Sequence, residues 1–282
     1  MLHVAVLVKA MASKSDFVLK FEWARCHLDD LNEKLFEWRN SNPYSISREK
    51  HPNLPNHFTA RITVQPIPPD PFALLIGDIV HNLRGTLDRL MYALASKHVK
   101  PFTQQVAEIS EFPIFGDKRR KGIAAVEKDL FNGKLAPILN AIPPQAKTII
   151  QRVQPYQRGK GFDSHPLWWL YELANIDKHR LLLTAALNQL GATFAPNQCI
   201  NVDVKSLKID VHGGELKDQT EIVTYHVLPI DPCREMYVDF HPAINVAFKC
   251  GSRVDGKDVI VTIGEILNYI VGYIVNPLVK FL

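Results

Sequence analysis

Apolar residues recur along this chain with two periods, a helical one at both ends and an alternating one between them. From Ser13 to about residue 40, Phe17, Phe21, Ala24, Leu28, Leu31, Leu35 and Trp38 follow one another at intervals of three and four. That spacing predicts an amphipathic helix, with Ser15 or Asp16 as its cap. A second long helix is predicted from residue 72 to about 98. Ile76, Ile79, Leu83, Leu87, Leu90 and Leu94 share one of its faces, opposite Asp78, His81, Asn82, Gly85, Arg89, Tyr92 and Ser96. Gly77 and Gly85 each weaken a helix interior by roughly 1 kcal/mol relative to Ala. On the polar face, Gly85 leaves room for a close neighbour.

The stretch from Pro166 to Leu187, PLWWLYELANIDKHRLLLTAAL, is apolar nearly all the way round. Such a helix belongs at the centre of a domain, where its polar residues need partners. Pro166 suits its first turn, and Asp163 or Ser164 can cap it. Shorter helices are predicted over residues 123–131, 135–142 and 145–154, after an irregular FPIF loop between Ser110 and Gly116. The closing helix starts near Ile263, with Ile263, Ile266, Ile270, Tyr273 and Ile274 as its buried stripe.

Strand signals fill the rest. A short hairpin is expected near residues 44–65, and alternation after residue 188 predicts strands over 200–204, 207–211, 221–228, 236–240, 244–249 and 259–262. Helices precede and follow the strands, so residues 13–282 are expected to form one α+β domain behind an N-terminal extension, residues 1–12. Its helical part, residues 13–187 with a closing helix over 263–282, would be a bundle of about four long helices. An antiparallel β-meander, residues 188–262, would pack against that bundle.

Composition narrows the class. With 46% hydrophobic residues among 282, the chain can bury a large core. A formal charge of +4 permits an anionic partner without requiring one. Cys26, Cys199, Cys233 and Cys250 are far apart, which matches neither a zinc site nor a disulfide framework and fits a reducing cytosol. Residues 2–8 are apolar and Ala10-Met11-Ala12 resembles a peptidase site. The run is only about seven residues long and lacks a basic flank, so a short extension with Met11 as an alternative start is expected instead. No apolar run reaches the ~18 residues of a membrane span. A soluble, cytoplasmic protein without a membrane partner is expected.

The candidate chemistry sits on the two polar helices. Glu172, Asn175 and His179 recur at three and four residues on the central one, with Asp177 and Arg180 on another side. A histidine beside an amide and a carboxylate can serve as general acid or base. The same residues can instead form a hydrogen-bonded cluster that holds helix register. Either reading has Asn175 and His179 facing Asp78, His81 and Asn82, with Arg180 nearby, across a shared seam. No ExxH or HExxH spacing supports a metal, and neither metal nor cofactor is expected. The basic run Lys118-Arg119-Arg120-Lys121 can contact phosphates or be a solvated turn. P-loop, GxGxxG and GxSxG motifs are absent from the sequence.

GDIVHNLRGTLDRL (residues 77–90) and NIDKHR (residues 175–180) resemble the paired signatures, GDxxHNLRSALDHL and NxDKHR, of a family of functionally uncharacterised bacterial and phage proteins. Gly85-Thr86 stands for the usual Ser-Ala, and Arg89 for a frequent His. More distantly, residues 174–179 resemble the RNxxxH signature of HEPN domains, helical bundles that commonly act as metal-independent ribonucleases in defence and toxin systems. Asn175 and His179 match, whereas Ala174 replaces the Arg. That resemblance implies an RNA-acting protein in which His179 is the acid/base and Asn175 orients the phosphate. The alternative is a non-catalytic interaction protein, working through a surface or as a homodimer built on its long helices.

Overall fold

The computed structural model describes residues 15–41, 44–64, 69–116, 122–179, 185–194 and 196–282. Helix α1 (Asp16–Asn40) lies along α2 (Pro69–His98). On the core face of α2, Ile76, Ile79, Leu83, Leu87, Leu90 and Leu94 are all buried, as the period requires. Four short helices follow: α3 (Gln104–Ile109), α4 (Ile123–Asn132), α5 (Ala136–Ala141) and α6 (Pro144–Arg152). A 3-10 segment (Pro155–Ser164), broken at Gly159, leads to the central helix α7 (Pro166–His179). α7 packs on α2 and on the closing helix.

The closing helix is α8 (Val259–Tyr269), a π turn (Ile270–Val275) and α9 (Asn276–Val279). The wider π turn, just before Asn276-Pro277, re-phases the helix. Val271 and Val275 thereby join Ile270 and Ile274 in the core, while Tyr273, expected in the stripe, faces outward. Among the described residues one helix, Val259–Val279, is long and apolar enough to cross a membrane by length and composition alone. Its stripe Ile263, Ile266, Ile270, Ile274 and Leu278 is buried in the protein core.

The strands form two antiparallel sheets rather than one meander. β1 (Tyr44–Lys50), β2 (His57–Val64), β6 (Thr220–Pro229) and β4 (Val202–Val211) make a four-stranded sheet in the order β1-β2-β6-β4. The early hairpin is thus joined to the late strands, with Phe58 opposite Tyr225 and their rings stacked 5.2 Å apart. β5 (Gly214–Glu215), β3 (Ala185–Phe194) and β7 (Phe240–Phe248) form the second sheet, in the order β5-β3-β7.

Three expectations are corrected here. The central helix is described from Pro166 to His179 and does not continue to Leu187, because residues 185–194 pair with β7 from Ala185↔Phe248 to Phe194↔Phe240. Long-range pairing overrides the local helical pattern there. Residues 259–262 open α8 instead of forming a strand, because the Asp258 carboxylate caps it by accepting the Val261 N–H at 2.9 Å. Of residues 236–240, Tyr237 makes an isolated bridge to Ile200 and Phe240 already opens β7.

The cap of α7 is neither Asp163 nor Ser164 but His165, which is almost fully buried. Its Nδ1 accepts the Leu167 N–H at 3.2 Å, so the proton sits on Nε2, 3.0 Å from the Tyr269 hydroxyl. Tyr269 in turn donates to the Val153 carbonyl at 3.3 Å. This chain ties the start of the central helix to the closing helix and to the end of α6. Burial, aided by Arg158, pushes the His165 pKa down to about 4. The unfolded chain therefore binds a proton near pH 6.5 that the folded chain refuses until about pH 4. Stability from this group is complete above pH 6.5 and is lost as pH falls toward 4, by on the order of 3 kcal/mol. Denaturant titrations between pH 4 and 7 should show that slope in the wild type, flattened in His165→Gln. Equal slopes would refute the assignment.

Candidate binding cleft

Helix α7 turns different residues to different neighbours. Tyr171, Ala174, Asn175 and Lys178, spaced three, one and three residues apart, line a cleft of about 290 Å³. Arg84 of α2 forms another wall, and Leu130 of α4 with Lys134 and Leu135 forms a third. The floor is the irregular segment from Ile109 to Phe115. Asp177 points elsewhere, toward α2: a Cβ built on Gly77 would stand 2.7 Å from its Oδ1. Glu172 accepts the Arg253 N–H at 3.2 Å, in the turn that follows β7.

A buried loop needs partners for its backbone groups, and the FPIF segment takes them from side chains. Gln154 is fully buried. Its Oε1 accepts the Phe115 N–H at 3.0 Å, while its Nε2 donates to the Pro113 and Ile150 carbonyls, both at 3.0 Å. The Phe115 carbonyl accepts the Tyr156 N–H at 2.9 Å. At the other end, Asp88 Oδ1 accepts the Phe112 N–H at 2.9 Å. Gly116 closes the loop where an added Cβ would fall 2.5 Å from the Phe162 ring and 2.7 Å from the Trp168 ring.

Asp88 also holds Arg84 in a two-pronged pair, Nη2 to Oδ1 at 3.0 Å and Nε to Oδ2 at 3.1 Å. Burial raises the Asp88 pKa; Arg84, the Phe112 N–H and Lys178 pull against it, and Glu111 adds to the rise. Arg84 is thereby oriented at the cleft wall with its charge balanced. The cations Lys134 and Lys178 remain on the rim with the carboxylates Glu111 and Asp129. Two charges of each sign surround Phe112, Ile114 and Phe115, so the surface suits a ligand with a flat or apolar body whose negative group sits at Lys134 or Lys178, away from Glu111 and Asp129.

The anticipated residues are divided by this arrangement. Asn175 lies in the cleft, and Glu172 serves the β7–α8 turn instead. Asp78 and His81 are exposed; Asn82 is buried under α1, where its Oδ1 accepts Lys20 Nζ at 3.1 Å and its Nδ2 donates to the Asp78 carbonyl at 2.7 Å. The proposed seam between these residues and Asn175 is therefore absent, since that flank of α2 faces α1. At ~100° per residue, Gly77, Arg84 and Asp88 form a separate stripe about 100° away, and that stripe meets α7. His179 is the last described residue of α7, and its side chain lies outside the described residues, as do Arg180 and the run Lys118, Arg119, Arg120 and Lys121. Among the described residues no group of three or more His, Cys, Asp or Glu side chains could hold a metal ion.

Arg84, Asp88, Tyr171, Lys178 and Gln154 were not singled out from the sequence. The i,i+4 spacing of Arg84 and Asp88 and the three-four spacing of Tyr171, Asn175 and Lys178 were the available signals. Comparison with models of known families, with curated proteins and with solved structures found no match.

The contact between Gly77 and Asp177 is testable by a double-mutant cycle. Gly77→Ala should stabilise an Asp177→Ala background by about 1 kcal/mol through helix propensity. In the wild type it should be neutral or destabilising, because the methyl displaces the carboxylate. Additive effects in denaturant titrations would show that the two residues do not meet. Gly116→Ala should cost more than either, since two packed rings must move.

Proposed function

We propose that the cleft between α2, the FPIF segment and α7 is the functional site, and that it takes a small organic anion with a flat or apolar body. The observation behind this reading is the convergence of two distant polar segments: Arg84 and Asp88 from one, Asn175 and Lys178 from the other, meet around a loop held by buried hydrogen bonds. In this reading Lys134 and Lys178 attract the anion, Asn175 orients it, and the aromatic floor excludes water.

A thermal-shift screen of small carboxylated and phosphorylated compounds tests this directly. The expected result is a stabilising ligand whose affinity falls roughly tenfold, about 1.4 kcal/mol, in each of Lys134→Gln and Lys178→Gln. Ligands whose shifts survive the double substitution would place the site elsewhere.

Asn175 in the cleft also supports a second reading, in which the chain acts on RNA with His179 as acid/base. The packing among α1, α2, α7 and the closing helix supports treating the helical part as a HEPN-like bundle. His179→Ala should then abolish RNA cleavage by folded protein, and cleavage unchanged by that substitution would remove the reading.

A further inference from the structure

A second recess lies on the far flank of α2, between it and α1. It measures about 510 Å³, and Leu19, Lys20, Trp23, Asn82 and Arg89 are among its walls. Trp23 is 58% exposed and Leu19 66%, and they stand one turn apart on α1, so together they form an apolar patch beside the recess. Trp23 makes an edge contact with His27, ring centres 5.0 Å apart, and otherwise presents its indole to the recess.

The cations beside it are placed by identifiable contacts. Lys20 crosses α2 at Gly85, where an added Cβ would lie 3.6 Å from its Cδ, and its ammonium rests on the Asn82 amide oxygen at 3.1 Å. A neutral amide orients that ammonium without cancelling its charge. Arg89 pairs with Asp16 at 3.1 Å, but both are more than half exposed. A pair so hydrated contributes little, so an incoming anion can replace the aspartate.

An exposed indole flanked by cations is the arrangement that stacks a base and neutralises the phosphate beside it. We propose that the α1–α2 recess binds a nucleobase-phosphate unit, with the base on Trp23 and the phosphate between Lys20 and Arg89. This is a different site from the α2–α7 cleft and does not depend on it. The unit can come from a free mononucleotide or from single-stranded RNA, and the two sources share this chemistry.

The test is fluorescence anisotropy of a labelled uridine oligomer of about eight nucleotides, with UMP, uridine and an oligoglutamate peptide as competitors. The proposal expects binding that weakens roughly tenfold in Trp23→Ala. It should weaken severalfold in Lys20→Gln, with the log–log salt slope shallower by about 0.7. Lys205→Gln, at an exposed lysine of β4 that lines neither the recess nor the cleft, should leave it unchanged. If UMP matches the oligomer per site and uridine fails, the ligand is a free nucleotide; if only the oligomer binds, it is a strand. Absence of binding by both, affinity indifferent to Trp23, or equal competition by oligoglutamate would overturn the proposal. Trp23 is exposed and Lys20 half-buried, and circular dichroism of each variant confirms that it is folded.

Discussion

The structure around the candidate cleft depends on how one loop without regular structure is kept in the interior. Its peptide groups cannot be left unpaired away from water, and neither a strand nor a helix is available to pair them. Gln154 supplies what a neighbouring strand would, accepting from Phe115 and donating to Pro113 with a single buried amide. Asp88 does the same at Phe112, and because it also grips Arg84, the floor and one wall of the cleft are positioned by one carboxylate. An amide and a partly desolvated carboxylate in these roles are costly to lose, since each would leave a donor unsatisfied.

The central helix is fixed from several directions. His165 caps its start and reaches Tyr269; Glu172 holds the turn after β7; Trp169 donates its indole N–H to the Asp163 carbonyl at 2.9 Å and carries Lys257 over its ring. Asp177 fits against Gly77, where any side chain would displace it. Among the described residues, Glu172 and Asp177 each join α7 to a different part of the chain. A separate stripe, Tyr171, Asn175 and Lys178, lines the cleft.

The two flanks of α2 have acquired different surroundings for the same reason. Around one, α1 covers Asn82 and brings Lys20 across Gly85, leaving an indole in the open. Around the other, the FPIF segment and α7 enclose Arg84 and Asp88. A helix 30 residues long can present both because its polar positions, about 100° apart, never compete for one neighbour.

Much of the architecture follows from local pattern. The long helices, the early hairpin and the core faces of α1 and α2 are determined by the sequence, because a three-four or alternating repeat has one stable way to bury its apolar side. The α+β class follows from the order of those repeats. The neighbour of each polar face does not. Periodicity says that Asp78 and Asn82 share a side of α2 and that Asn175 lies on a side of α7, but it carries no information on which helix covers which. Tertiary packing set α1 over the first and the FPIF loop against the second. It also drew residues 185–194 into a sheet with β7 and divided the expected meander into two sheets. Each of these choices rests on contacts between residues tens to hundreds of positions apart, whose free energy exists only once the chain has closed upon itself.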